Sequence, residues 1–387
     1  MSPHPFRDRA AICGVGDTEY SKDSGVSTLT LALRAIASAL ADAGLEVHDV
    51  DGVACHRVGD SVQAAVVAEA LGVRDLHYFV DQFGGGSASH SIVGQAAMAV
   101  ITGQAETVVC WRAINARSEW RMGGTGRAAP DVVEFQYQVP YGYATPPQQF
   151  AMVARSWMDA RSAGEEDLGA VAIATREHAM RNPAAMMRQP LTMDQYLSSR
   201  WVVEPLRLFD CCLETDAAVA VVVTRAERAR DLAKVPVAIS GAVWGSGQTL
   251  LSNGRDFPVS AAAAAGRRLF EQAGFGPADL DVAELYDAFT PLVLIQLEDY
   301  GIVGRGEAAG FVLGGGTSLS GPLPTNTHGG HLSAGYVHGL NHLAEAVRQL
   351  RGEGGARQVA GAEVALSTGQ CGYVAGNTSA LALRRLS

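Results

Sequence analysis

Four histidines crowd the segment around Asn326-Thr-His-Gly-Gly-His-Leu-Ser-Ala-Gly-Tyr-Val-His-Gly339: His328, His331, His338 and His342. His338 and His342 stand four apart, a spacing that places two ring nitrogens on one helix face and suits a divalent cation. A cation held there could polarise a substrate carbonyl. Carboxylates are few nearby, Glu345 being the obvious one, and no metal is assigned. Among the six cysteines, Cys371 in Thr-Gly-Gln-Cys-Gly-Tyr has glycines close on both sides and is a candidate nucleophile. Cys13, Cys55, Cys110 and the Cys211–Cys212 pair lie in apolar runs and read as small buried side chains. No CxxC occurs, and a chain this long with six cysteines is not a disulfide framework. Lys22 and Lys234 are the two lysines; neither follows a P-loop glycine, and both lie in polar connectors, which argues against imine catalysis. Arg112, Arg117, Arg121 and Arg127 could hold cofactor phosphates or form a solvated basic loop.

The elements that would position these groups show an internal repeat. ADAGLEVHDVDGV at 41–53 and EQAGFGPADLDVA at 271–283 share Ala-Gly and two aspartates in register. Ile12-Cys-Gly-Val-Gly likewise has a counterpart in Ile239-Ser-Gly-Ala-Val-Trp-Gly. Each half begins with a short apolar strand, a helix and an Ala-Gly stop. The spacing predicts a helix over 27–43, with Ser27 as N-cap, Leu29, Leu33, Ile36 and Leu40 on one face, and Gly44 beyond the end. Gly84-Gly-Gly-Ser-Ala-Ser then precedes a helix at about 87–102 and a strand over 106–111; Gly329-Gly330 and Gly335 precede a helix at about 340–351 and a strand over 359–366. Alternating strands and helices imply α/β layers with largely parallel pairing. The halves are residues 1–230 and 231–387, and segment 112–205 interrupts the first as an insertion, expected to be a lid or a subunit contact.

The composition suits this plan. The 387 residues are 48% apolar and 18% charged, ordinary globular values. The net charge of −10 argues against a general affinity for nucleic acid. No apolar run reaches the ~18 residues of a membrane span, and the first residues carry no apolar stretch for export. The expectation is a cytoplasmic protein.

Over nearly its whole length the chain resembles the thiolase superfamily, in its sterol-carrier-protein-X and lipid-transfer-protein branch. Residues 10–53, Pro205–Val223 with Leu-Phe-Asp-Cys-Cys, Glu284-Leu-Tyr-Asp-Ala-Phe289, the 326–339 stretch and Leu366-Ser-Thr-Gly369 carry the likeness. It implies the five-layered αβαβα thiolase fold, a homodimer, and acyl-CoA thioesters as substrates with no separate cofactor. It also places no metal at the histidines.

The departures from the family pattern define the chemistry that the resemblance implies. The nucleophilic cysteine is matched by glycine, taken as Gly84. The asparagine of Asn-Glu-Ala-Phe is Tyr286, the histidine of Gly-His-Pro is Tyr336, and the second cysteine is Ser367 or, with an insertion, Cys371. Either tyrosine alone reads as a core aromatic or part of a glycine turn. Both at catalytic positions make an acid/base pair without a nucleophile, similar to that of aldolases that shorten steroid acyl-CoA side chains. One phenol takes the β-hydroxyl proton of a bulky β-hydroxyacyl-CoA, the Cα–Cβ bond breaks, and a ketone leaves. Backbone N–H groups at Gly84, Gly85, Gly329 and Gly330, with Ser367, would steady the thioester oxygen. Since free tyrosine titrates near pH ~10, Asp287, His331 and His338 are expected to tune or orient the phenols. Two other readings compete: a noncatalytic thiolase-like subunit, and an acyltransferase using Cys371. The resemblance also implies a small accessory protein with a zinc ribbon and an OB fold.

Overall fold

The computed structural model describes residues 4–119, 121, 133–246, 258–371 and 377–386. Helix α1, Thr28–Ala43, starts where the Ser27 side chain accepts from Thr30 N–H, and it stops at Gly44, whose φ of 71° lies in the left-handed region. Its buried face, Leu31, Ala35, Ile36, Ala39 and Leu40, lies on strand β1, Ala10–Asp17. Gly14 and Gly16 allow that approach, because a β-carbon at either would meet helix backbone.

Among the described residues, eight more strands of the main sheet follow β1 in chain order, beginning with β2 (Gly52–Arg57), β3 (Tyr78–Phe83) and β4 (Thr107–Asn115). After them come β5 (Asp216–Arg225), β6 (Val237–Ser246), β7 (Val282–Glu284) and β8 (Val364–Thr368), and the ninth strand, β9 (Asn377–Arg385), completes the set. Their spatial order is β3-β2-β4-β5-β1-β6-β9-β8-β7. From the centre outward the two halves mirror each other, β1-β5-β4-β2 against β6-β9-β8-β7. The β5 and β9 pairings are antiparallel, while β2–β4 and β7–β8 are parallel. The repeat seen in the sequence is thus a pseudo-twofold about the β1–β6 contact, where Ala11 pairs with Ala238 and Ile12 with Val237.

Side-chain alternation along the strands builds the layers. Ala218, Ala220 and Val222 of β5 face α1, while Ala217, Val219 and Val221 face a central layer. That layer holds α2 (Ser89–Thr102) and α7 (Leu340–Arg351), packed between strands of both halves. Beyond the second half, Ala380 and Ala382 of β9 face α5 (Ala261–Ala273) and α6 (Thr290–Asp299). Helix, sheet, helix, sheet, helix is the five-layer αβαβα order expected.

Three local expectations change. Strand β4 runs four residues past Trp111, because β5 pairs with it as far as Asn115↔Asp216. Strand β8 begins at Val364 rather than 359: Gln349 holds Val359 N–H, and Asp281 takes the N–H groups of Glu363 and Val364. The helical part of the insertion is no lid. Its α3 (Pro146–Arg161) and α4 (Glu165–Ala179) bury Phe150, Trp157, Leu168 and Val171 against α6. Helix α4 also buttresses the second glycine loop: Asn182 just past it donates to the His328 carbonyl at 2.9 Å, and a β-carbon at Gly329 would strike Ala179. Among the described residues, no helix is long and apolar enough to cross a membrane.

Candidate active site

Tyr286 follows β7, and Tyr336 closes the turn before α7. Their hydroxyl oxygens are 2.8 Å apart, with both rings buried. Each backbone is pinned by a threonine: Tyr286 N–H donates to Thr368 Oγ1 at 2.9 Å, and Tyr336 N–H to Thr215 Oγ1 at 2.9 Å. The Thr215 hydroxyl returns a bond to the Tyr336 carbonyl at 3.0 Å. The phenols therefore meet by construction, across two segments fifty residues apart in sequence.

Gly86 faces them. A β-carbon there would fall on the Tyr286 ring end and hydroxyl, so no side chain fits between this loop and the phenol. The sequence match placed the missing cysteine at Gly84, two residues away. Gly84 instead donates its N–H to the Arg57 carbonyl at 3.0 Å, and its own carbonyl accepts from His56 Nδ1 at 3.0 Å. Gly86→Ala is expected to push Tyr286 out of line, lowering turnover at least ~100-fold, with overpacking costing about 1–3 kcal/mol. Steady-state kinetics beside urea unfolding would check both.

The expected oxyanion donors are mostly committed elsewhere. Gly329 N–H donates to the Asn326 carbonyl at 2.9 Å. Gly330, at φ 57°, lies so close to the Asp287 carboxylate that a β-carbon would overlap it, but that carboxylate takes the N–H groups of His331 and Leu332 rather than its own. The Ser367 hydroxyl is buried against His90 Nε2 at 2.7 Å. Among the described residues, Gly85, Gly86 and Gly330 keep N–H groups without a protein acceptor.

Asp287 does not sit against the phenols as a proton donor. It accepts from His331 N–H at 2.7 Å and meets His342 Nε2 at 2.9 Å, so it ties the glycine loop to α7. His331 packs edge-on to both tyrosines, centroids 4.8 and 4.7 Å away, and its Nε2 meets Asn341 Oδ1 at 3.0 Å. His338 lies against Tyr336 at 4.7 Å between centroids. Burial pushes both imidazoles well below their ordinary pKa, so neither is the cation expected to draw the phenols down. Burial raises both phenols instead; Tyr286 is relieved in part by the bond from Tyr336.

His338 and His342 do not share a helix face. His338 has φ 51° ahead of α7, and Arg112 Nε donates to its Nδ1 at 3.1 Å. Asp287, His331 and His342 do converge, as do Glu284, His328 and His342, each trio with its ligand atoms within 4.8 Å of one another. His342 Nε2 is hydrogen-bonded to Asp287 at 2.9 Å, whereas His328 Nδ1 and Glu284 Oε2 lie 3.0 Å apart without forming a hydrogen bond. Burial and neighbouring Glu345 push the Glu284 carboxyl up; Glu345 is itself held low by the Arg357 guanidinium against its own burial.

Cys371 is fully buried, its thiol raised by burial and by Asp299, which does not suit a nucleophile. Arg112 is neither a phosphate ligand nor solvated: it is a fully buried β4 residue paired with Asp60. Arg117 gives its backbone N–H to Asp216, and Arg121 pairs with Glu214 at 2.7 Å. Arg127 lies outside the described residues. The Arg112–Asp60 pair and the threonine clamps had no signal in the sequence, since each joins distant segments, while the glycine run at 84–86 marked the loop but not which glycine faces the phenols.

The family model described as thiolase C-terminal domain-like matches residues 224–384. A 17-hydroxy-3-oxo-4-pregnene-20-carboxyl-CoA lyase of Mycobacterium tuberculosis is 45% identical over 375 residues, 94% of this chain and 97% of that one. A steroid side-chain-cleaving aldolase of Thermomonospora curvata is 46% identical over 354 residues, 89% and 90% of the two chains. The solved Ltp2-ChsH2(DUF35) aldolase superposes with a TM-score of 0.92 at 43% identity, covering 98% of each chain. With its five-layered fold and its buried pair of phenols, the chain belongs to the steroid side-chain-cleaving aldolases of the thiolase superfamily and is a carbon–carbon lyase.

Proposed function

We propose that the phenol pair runs the retro-aldol cleavage as a proton relay. The observation that carries it is the 2.8 Å contact between the Tyr286 and Tyr336 hydroxyls, both raised in pKa by burial. A lone buried phenol is a poor base, because its phenolate is desolvated. Two in contact avoid the charge. One accepts the β-hydroxyl proton while passing its own to the other, which delivers a proton to Cα. The β-oxygen becomes the ketone, the Cα–Cβ pair enters the thioester as an enolate, and protonation at Cα gives the shortened acyl-CoA. Both phenols end as they began.

The substrate is a bulky β-hydroxyacyl-CoA of the steroid side-chain class, as the named relatives indicate. For a 17-hydroxy-pregnene-20-carboxyl-CoA the broken bond joins C17 to C20, and the products are a 17-ketone and propionyl-CoA. No cofactor is required beyond the CoA of the substrate. The enzyme is proposed to be cytoplasmic and to work with a zinc-ribbon/OB-fold accessory protein; a neighbour whose name joins Ltp2 to ChsH2(DUF35) supports the partner. A homodimer is supported by β3, an edge strand whose outer rim shows Phe79 at 62% and Phe83 at 76% exposure.

Mass analysis after incubation with a panel of β-hydroxyacyl-CoAs tests the reaction. Stoichiometric ketone and propionyl-CoA are expected from the 17-hydroxy steroid thioester. Acyl transfer to free CoA, or no cleavage of any panel member, would refute it.

A further inference from the structure

We propose that His338 is the hydrogen-bond donor that carries the thioester oxygen through the enolate, and that the buried Arg112–Asp60 pair fixes which ring nitrogen does so. This rests on the lyase reading above and adds a residue and a role to it.

The argument begins with a donor that has no alternative. A guanidinium cannot accept a hydrogen bond. Because Arg112 Nε points at His338 Nδ1 from 3.1 Å, Nδ1 must carry a lone pair and Nε2 the hydrogen. Arg112 is itself immobile, fully buried on β4, with one amino group on Asp60 and the other on the Ala113 carbonyl at 3.1 Å. Burial alone would raise the Asp60 carboxyl, but the guanidinium beside it holds it down at about 2, so the pair stays charged. A second proton on His338 would face that guanidinium in a desolvated site. The ring is therefore a neutral donor with a fixed tautomer.

The Nε2–H points at the glycine loop. A β-carbon on Gly85 would sit 3.4 Å from Nε2, and among the described residues no protein acceptor takes this hydrogen. The other site imidazoles differ. His331 Nε2 is engaged by Asn341, His342 Nε2 by Asp287, and His90 Nε2 by Ser367. His56 must donate Nδ1–H to the Gly84 carbonyl, which leaves its Nε2 an acceptor. A thioester oxygen lodged over Gly85 would meet Nε2–H while its Cα and Cβ lie toward the phenols, since the Tyr336 ring touches the His338 ring.

As Cα–Cβ breaks, its electron pair moves into the carbonyl and charge collects on that oxygen. Nε2–H lends a hydrogen bond without giving up its proton. When Cα is protonated the carbonyl re-forms. A fixed neutral donor suits an anion that exists only in transit, because nothing must reorganise as the charge appears.

Isotope-edited infrared spectroscopy of propionyl-CoA labelled with carbon-13 at the carbonyl, bound to the purified enzyme, reads this directly. The bound C=O stretch is expected below its free value, to return to it in His338→Leu, and to stay low in His338→Gln and in Tyr286→Phe. Turnover of His338→Leu is expected to fall ~10²–10³-fold, with His338→Gln recovering most of it. A shift that survives His338→Leu, or no shift in the wild type, overturns the proposal. Failure of the phenol relay would look different: undiminished turnover in Tyr286→Phe with the shift intact.

Arg112 is tested as a positioning residue through pH. The titratable groups facing His338 are Arg112, Asp60, His56, Tyr336 and His331. Arg112→Met with Asp60→Asn removes both charges together, so neither is left buried alone. Its kcat profile is expected to show an acid limb moved toward, but still below, ordinary histidine values of ~6.5, because burial, the larger cause of the low His338 pKa, remains. An unchanged profile would remove the tautomer lock from the account.

Discussion

Tyr286→Phe and Tyr336→Phe are each expected to lower kcat by about 10³-fold or more, and the double variant to be no worse than either single. General acid–base groups contribute ~10²–10⁴-fold, and in the proposed mechanism both phenols belong to one relay. Removing either hydroxyl interrupts the same proton path, so the losses do not multiply. Turnover is read from ketone release and binding from KM. The substitution deletes one oxygen and keeps the ring, so packing against His331 is retained. The phenol left behind loses its partner, at a cost of about 1–3 kcal/mol for a buried polar group. A stability loss near that size beside a thousandfold kinetic loss separates catalysis from unfolding. Multiplying effects in the double variant would mean two independent groups, and undiminished singles would remove the phenols from the mechanism.

The phenol pair was legible because two tyrosines stand where the resembled family has catalytic residues, in Glu284-Leu-Tyr-Asp-Ala-Phe289 and in the glycine-rich 326–339 stretch, which are local sequence features. The halves were legible for the same reason: Ala-Gly stops and strand–helix spacing recur within each half. What stayed hidden depends on contacts between segments remote in sequence. Nothing around Asp60 announces that its carboxylate anchors Arg112, fifty-two positions away. Arg112 looked like the start of a basic loop because charge rarely continues a buried strand; it does so here because Asp60 and His338 both receive it. His338 and His342 looked like a helix-face pair, yet the positive φ at His338 ends that periodicity one turn too soon. Ser367 and Gly329 were reasonable donors by position, and only the three-dimensional neighbours show that His90 and Asn326 already hold them.

The same burial that keeps the imidazoles neutral makes the fold sensitive to acid. Desolvation holds His56 down at about 3, and His178 and His328 at about 4. His90, His331 and His338 are also pushed well below the ordinary value by burial. The sign follows from linkage. Above pH ~6.5 both folded and unfolded chains carry neutral histidine, and stability is full. As pH falls through that value the unfolded chain takes up protons that the folded one refuses until its own lower pKa values. Stability is therefore lost from about pH 6.5 downward, at up to roughly 1.4 kcal/mol per pH unit for each histidine. Three carboxyls act in the opposite sense. Burial raises Asp210 to about 6 and also raises Glu284 and Asp299, so the folded state binds their protons first and gains as pH falls. They offset about three of the six histidines, leaving a net loss of several kcal/mol per unit against a total stability of about 5–15 kcal/mol. Urea unfolding between pH 7.5 and 5 is expected to show a steep fall beginning near pH 6.5, with acid unfolding between about pH 5 and 6. His178→Asn, away from the phenols, is expected to flatten the slope by about one histidine's share. A stability that is level across this range would mean that water reaches these rings, and the neutral state assigned to the His338 donor would lose its physical basis.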